Sequence, residues 1–176
     1  AILSFIPVPV AVILMAAGFV SLAVGGIRLG YKATVKNLAL DLVNVRLLLE
    51  PGMAEMAALN ASDEDIERIQ RLCDRVENKI HSGDLYIEDD IAFHTCIAES
   101  SKNMVVEQLI PIIDTAVMMF VNVTHKKLTE ETILTHRMIT EAIARHDPIG
   151  ARSAMVMHLN FNRNCIRKLY DGEWET

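Results

Sequence analysis

Aromatic residues are scarce, at 5% of the 176 positions, and the three cysteines, Cys73, Cys96 and Cys165, stand too far apart for any CxxC pair. The first scarcity argues against a sheet sandwich. The second excludes a thiolate zinc site or a cycling dithiol, and fits a chain expected in the reducing cytoplasm. Charge is missing altogether from residues 1–27, and residues 1–40 carry only Arg28, Lys32 and Lys36, with no acid. The overall charge of -6 therefore leaves 14 bases against 23 acids, or -9, in residues 41–176. A body that acidic is not expected to grip nucleic acid by itself.

What is present describes a folded chain: 51% of residues are hydrophobic and 23% charged. Leu, Ile, Val, Ala and Met dominate, so the expected fold class is all-α, in one main domain with room for part of a second. The uncharged opening run is long enough for a bilayer. Pro7, Pro9, Gly18, Gly25 and Gly26 break it, however, and no basic stretch precedes it as a signal peptide requires. No membrane partner is expected, and residues 1–36 read as the remnant of a small domain.

From residue 37 apolar positions recur at helical spacing, predicting an antiparallel bundle of about six helices over residues 37–176. The first carries Leu38, Leu42, Val45, Leu48 and Leu49, interrupted or kinked at Pro51 and Gly52. Ser62 with Asp65 forms a capping box that opens the second, which runs to Ile80. The third covers about residues 86–100. A fourth runs from Met104 to about Val123 with a kink at Pro111, a fifth starts on Thr129, and Asp147 followed by Pro148 starts the sixth.

Three of the six histidines, His81, His125 and His146, fall at predicted helix C-termini, where an imidazole complements the helix dipole and needs no function. The others interrupt apolar stripes. His94 and Asp90 share a face with Ile87 and Ile91; His136 lies among Ile133, Ile139 and Ile143; His158 lies among Ala151, Met155, Cys165 and Leu169. A single buried histidine is an ordinary core residue once hydrogen-bonded. Three, with a carboxylate that would be costly to bury alone, point instead to a shared divalent cation. The i, i+4 spacing sets Asp90 and His94 side by side, and facing helices would supply the rest. Asp89, next to them, is expected to face solvent.

Three ordered motifs then carry a family resemblance. "VRLLLEPGMAEMAA" is similar to R-x-x-L-E-x-x-A-x-x-A-A, and "DDIAFHTCIAESSKN" to D-x-x-F-H-x-x-I-A-x-A-S-x-N. "THRMITEAIARHDPIGARSAMVMHL" is similar to H-x-x-I-x-x-A-I-x-x-x-D-x-x-x-A-x-x-x-M-x-x-H. Residues 42–170 so resemble the FCD ligand-binding domain of the FadR-type branch of GntR-family transcription regulators. The resemblance implies a divalent metal (zinc, nickel, manganese or iron) on Asp90, His94, His136 and His158. It also implies a small carboxylate effector helped by Arg46, and a homodimer acting on operator DNA. Arg46 has a second reading, an ion pair with Glu50 one turn on. Asn122 and Asn162 are either core amides or further effector contacts.

Fragments of residues 1–36 resemble that family's winged helix-turn-helix: Ser4, Pro7, Val8 and Ala11 the start of its recognition helix, "VGGIRLGYKAT" its wing. Bases and phosphates are read through Arg, Lys, Asn or Gln, which residues 1–27 lack, so no DNA-contacting residue is assigned. Two other readings are kept. An open Asp/His3 site could activate water in a metal-dependent hydrolase, but no general base is evident, and no enzyme is expected. A membrane-tethered helical sensor is the other.

Overall fold

The computed structural model describes the backbone of residues 8–124 and 128–171, and the side chains of residues 34–121, 124 and 128–170. His125 falls outside the described residues. Seven helices follow one another: α1 Val8–Asn60, α2 Asp63–Ser82, α3 Ile87–Ser100, α4 Met104–Glu107, α5 Ile110–Thr124, α6 Thr129–Ala144 and α7 Pro148–Asp171. No strand occurs among the described residues, and the fold is all-α. Residues 1–37 and 38–176 form two compact units. In the first, residues 24–34, likened above to a wing, lie within α1. No helix among the described residues is long and apolar enough to cross a membrane.

In the second unit α6 packs along α7, α2 along α3 and α6, and α5 against α3 and α7. The main core joins Ala54, Ala57 and Ala58 of α1 to Ile69 and Leu72 of α2, Phe93 and Ile97 of α3, Ile139 and Ile143 of α6, and Met155 and Leu159 of α7. The alanines are the small side chains that α1 contributes to this core.

Helix starts follow local chemistry. Ser62 accepts from the Asp65 amide while the Asp65 carboxylate accepts from the Ser62 amide, the reciprocal box expected, and Lys102 adds an ion pair to Asp65 at 2.6 Å. Asp147 caps α7 by accepting from the Gly150 amide at 2.9 Å, again as expected. Gly83 ends α2 with φ 77°, a conformation that favours glycine.

Four details differ from expectation. α1 continues through Pro51, so of the two readings, interruption or kink, the interruption is excluded; the proline lacks an N–H, so one intrahelical bond is missing there. The helix expected over 104–123 is two helices. Pro111 sits in the first turn of α5, where its absent N–H has no partner to lose, so it begins a helix instead of kinking one. At α6 the cap position belongs to Leu128, with no side-chain cap bond, and Thr129 is the first helical residue. The inward stripe of α1 is also different: Ala39, Val43, Arg46, Glu50, Met53, Ala54 and Ala57 are buried, while Leu48 is 81% exposed.

Candidate metal and effector site

Four helices bring polar groups to one enclosed place. α1 supplies Arg46 and Glu50, α3 supplies Asp90 and His94, α6 Thr135 and His136, and α7 His158 and Asn162, all buried. Each occupies a position of its helix that packing would otherwise give to an apolar side chain. Asp90 stands in the first turn of α3, where the positive end of the helix dipole favours a carboxylate.

His94, His136 and His158 each offer a ring nitrogen such that the three atoms lie within 4.8 Å of one another. His136 stacks on Phe93, with centroids 4.2 Å apart. Asp90 belongs to the surroundings of this trio: its Oδ1 lies 3.4 Å from His136 Nε2, too far for a good hydrogen bond. Asp89 is not solvated. It is buried and paired with Arg75 and Lys79 of α2, because two cations on the neighbouring helix make burial of that carboxylate tolerable.

Donor and acceptor counts assign the His158 imidazole and one nitrogen of His94. The Thr135 hydroxyl donates to the Glu131 carbonyl at 2.6 Å, so it can only accept from His158 Nδ1, 2.9 Å away. That leaves the lone pair of His158 on Nε2, where the Asn162 amide donates at 3.2 Å. His94 Nδ1 lies 2.8 Å from a Glu50 oxygen and must carry the proton. Arg46 Nη2 stands 3.3 Å from His94 Nδ1 and 3.1 Å from Nε2, about equally near both ring nitrogens, so it lies over the ring and not on an in-plane lone pair.

Arg46 makes the ion pair with Glu50 and also reaches the candidate ligands. Its Nε lies 2.5 Å and its Nη2 3.2 Å from the Glu50 oxygens. Burial alone would raise the Glu50 pKa, but Arg46 and His94 outweigh it and hold the carboxyl at about 2. Burial raises Asp90, with Glu50 adding to the effect and His94 and Arg46 opposing it. Burial also pushes His136 and His158 well below the usual imidazole value, and the Arg46 guanidinium pushes the same way. Both rings are therefore neutral near pH 7, as a metal ligand must be.

Several buried polar atoms here have no hydrogen-bond partner: Arg46 Nη1, Asp90 Oδ1, and both nitrogens of His136. Convergence of an unmatched donor, an unmatched carboxylate oxygen and unmatched imidazole nitrogens fits a site built for a cation and an anion together. Of the residues singled out in the sequence, Arg46, Asp90, His94, His136 and His158 come together, with Asn162 against His158. The Asn122 side chain lies outside the described residues. Glu50 and Thr135 were not anticipated as members. Their signal was position: both fall on the buried stripes of their helices.

Imidazoles, a guanidinium and carboxylates enclosed by four helices form the interior of a ligand-binding domain; a module that only packs would have filled the same positions with aliphatic side chains. Residues 41–161 match the model of the FCD domain, and the chain belongs to that family. The HTH-type transcriptional regulator YcbG of Bacillus subtilis is 31% identical over 138 residues, covering 74% of this chain and 55% of that protein. LutR of the same organism, also an HTH-type transcriptional regulator, is 30% identical over 130 residues, covering 68% of this chain and 58% of its own length. A solved structure described as Streptococcus agalactiae GntR superposes with a TM-score of 0.64 at 30% identity, covering 74% of this chain and 60% of that one. The chain thus spans a little over half the length of these curated relatives.

Proposed function

We propose that the chain is the sensing part of a FadR-type transcription regulator, in which a divalent metal and a small organic acid bind together inside the bundle. The observation that carries this is the buried trio His94, His136 and His158, with an unmatched Asp90 oxygen on one side and an unmatched Arg46 N–H on the other. His94, His136, His158 and Asp90 would hold the ion; nitrogen and carboxylate donors suit zinc, nickel, manganese or iron. The ion would supply a Lewis-acidic point for a carboxylate oxygen of the effector. Arg46 and Asn162 do the orienting. Asn162 now donates to the Nε2 lone pair of His158, so metal binding at that lone pair would free its N–H for the acid, and Arg46 Nη1 is unmatched already. Asn122 remains a further candidate contact.

The hydrolase reading lacks a base. Glu50 is the other buried carboxylate at the site, and Arg46 and His94 hold it so acidic that it would be a feeble proton acceptor. In the regulator, a homodimer in the cytoplasm, acid binding would bias how paired subunits present their DNA-binding heads, and so change operator affinity.

Elemental analysis of the purified chain, with mass spectrometry of any acid that co-purifies, tests the proposal directly. About one equivalent of a first-row divalent metal per chain is expected; a chain that neither retains nor takes up such a metal would remove the basis of the proposal. A finer check uses Thr135→Val, which keeps the shape but removes the acceptor that sets the His158 tautomer. Metal affinity should fall by about 10- to 100-fold in a chelator competition titration, the usual effect of losing a partner behind a metal ligand.

A further inference from the structure

The charges that face the site form a short inventory. α1 contributes Arg46 and Glu50, α3 contributes Asp90, and the three imidazoles come from α3, α6 and α7. The electrostatic influences on Glu50, Asp90, His136 and His158 all come from within this set. Asp89, one residue away in sequence, is turned to Arg75 and Lys79. In the metal-bound state, with neutral imidazoles and an ionised Asp90, Glu50 cancels Arg46 and the side chains leave a single negative charge. A divalent cation then gives a sum of one positive charge in a place closed to water, where any uncompensated charge is expensive.

Glu50 also decides how Arg46 can be used. It takes the edge formed by Nε and Nη2 and leaves Nη1 as the unmatched donor. The Nε–Nη2 fork of the guanidinium is therefore already occupied by a residue of the chain itself. We infer that Glu50 sets the charge class of the effector: by neutralising Arg46 it limits the loaded site to one surplus positive charge, which matches an acid with a single ionised carboxylate and excludes dicarboxylates. This rests on the proposed metal and acid site and adds to it a selectivity for monocarboxylates, with Glu50 as the residue responsible.

The test compares 2-hydroxybutyrate with malate, which carry the same hydroxy-acid head and differ by a carboxylate in place of a methyl group. Both are titrated calorimetrically into the zinc-loaded full chain and into its Glu50→Gln variant, after zinc content has been measured. The wild-type chain should bind 2-hydroxybutyrate at least about tenfold more tightly than malate, since a second charge has no counterpart in the site. Glu50→Gln keeps an oxygen for His94 Nδ1 and deletes one negative charge, so the preference should fall by at least about tenfold. Equal affinities in the wild type, tighter malate binding, or an unchanged ratio in the variant would overturn the inference and leave the metal and acid site standing. A chain that takes up no zinc, or that takes up zinc and binds neither acid, would overturn the underlying site and the inference with it. If Glu50→Gln fails to fold, the two wild-type affinities decide alone.

Discussion

His136→Ala is expected to lower divalent-metal affinity by more than about a hundredfold and to abolish the response to an acid effector. Loss of a residue behind a ligand already costs up to about a hundredfold, so loss of a ligand itself sets a larger floor. His136 is the most telling of the three because its ring is otherwise uncommitted: it stacks on Phe93, and neither nitrogen has a hydrogen-bond partner. Its removal breaks no hydrogen-bond network, and the structural cost is the lost packing of one ring, about 2 kcal/mol, eased by the loss of two unmatched polar atoms. A folded variant that binds no metal is therefore the expected outcome, read by chelator competition and by denaturant unfolding of the metal-free protein. Retention of one equivalent at wild-type affinity would exclude His136 as a ligand.

Arg46→Ala is expected to destabilise the metal-free chain by about 3 to 5 kcal/mol, because it strands a buried carboxylate. The sign of its pH dependence is the more specific test. Glu50 has a folded pKa of about 2, below its ordinary value of 4.5, so its contribution to stability is complete above pH 4.5 and disappears as pH falls through 2. Without Arg46, two of the effects that lower the Glu50 pKa are lost while burial still raises it, so the folded pKa moves upward from its wild-type position. The penalty is then largest at neutral pH and shrinks on acidification as Glu50 takes up a proton. Urea unfolding at pH 7 and pH 4 should show the gap between wild type and variant narrowing. A gap that stays constant would mean that Glu50 is not the group Arg46 compensates. Replacing both residues, as Arg46→Met with Glu50→Gln, should cost less than Arg46→Ala alone, since no charge is left stranded.

The candidate ligands were legible in the sequence because polar residues at apolar positions of a helical repeat are conspicuous. Asp90, His94, His136 and His158 each break a stripe, and α3, α6 and α7 present those stripes inward as the spacing implies. Glu50 was harder to see. A glutamate four residues after an arginine reads as a surface ion pair, and the leucines nearby drew the apolar face of α1 toward Leu38 and Leu48, which are exposed. The true stripe is built on Ala39, Val43, Met53, Ala54 and Ala57, small and weakly hydrophobic residues whose value lies in close approach, which hydropathy does not register. Asp89 misled for a related reason: its burial depends on Arg75 and Lys79, a turn apart on another helix, and no local pattern in α3 reports them. Pro111 was recognised as a breaker, but whether a proline kinks one helix or begins another depends on whether the preceding turn closes.

The two neighbouring aspartates of α3 point to different sides, Asp89 to the cations of α2 and Asp90 to the imidazoles. Successive side chains on a helix are separated by about 100° of azimuth. Rolling α3 about its axis by that amount would carry Asp89 away from both its cations and swing it toward the histidines. The Asp89 anchor thus opposes rotation of α3 about its axis and keeps Asp90, and not Asp89, among the imidazoles.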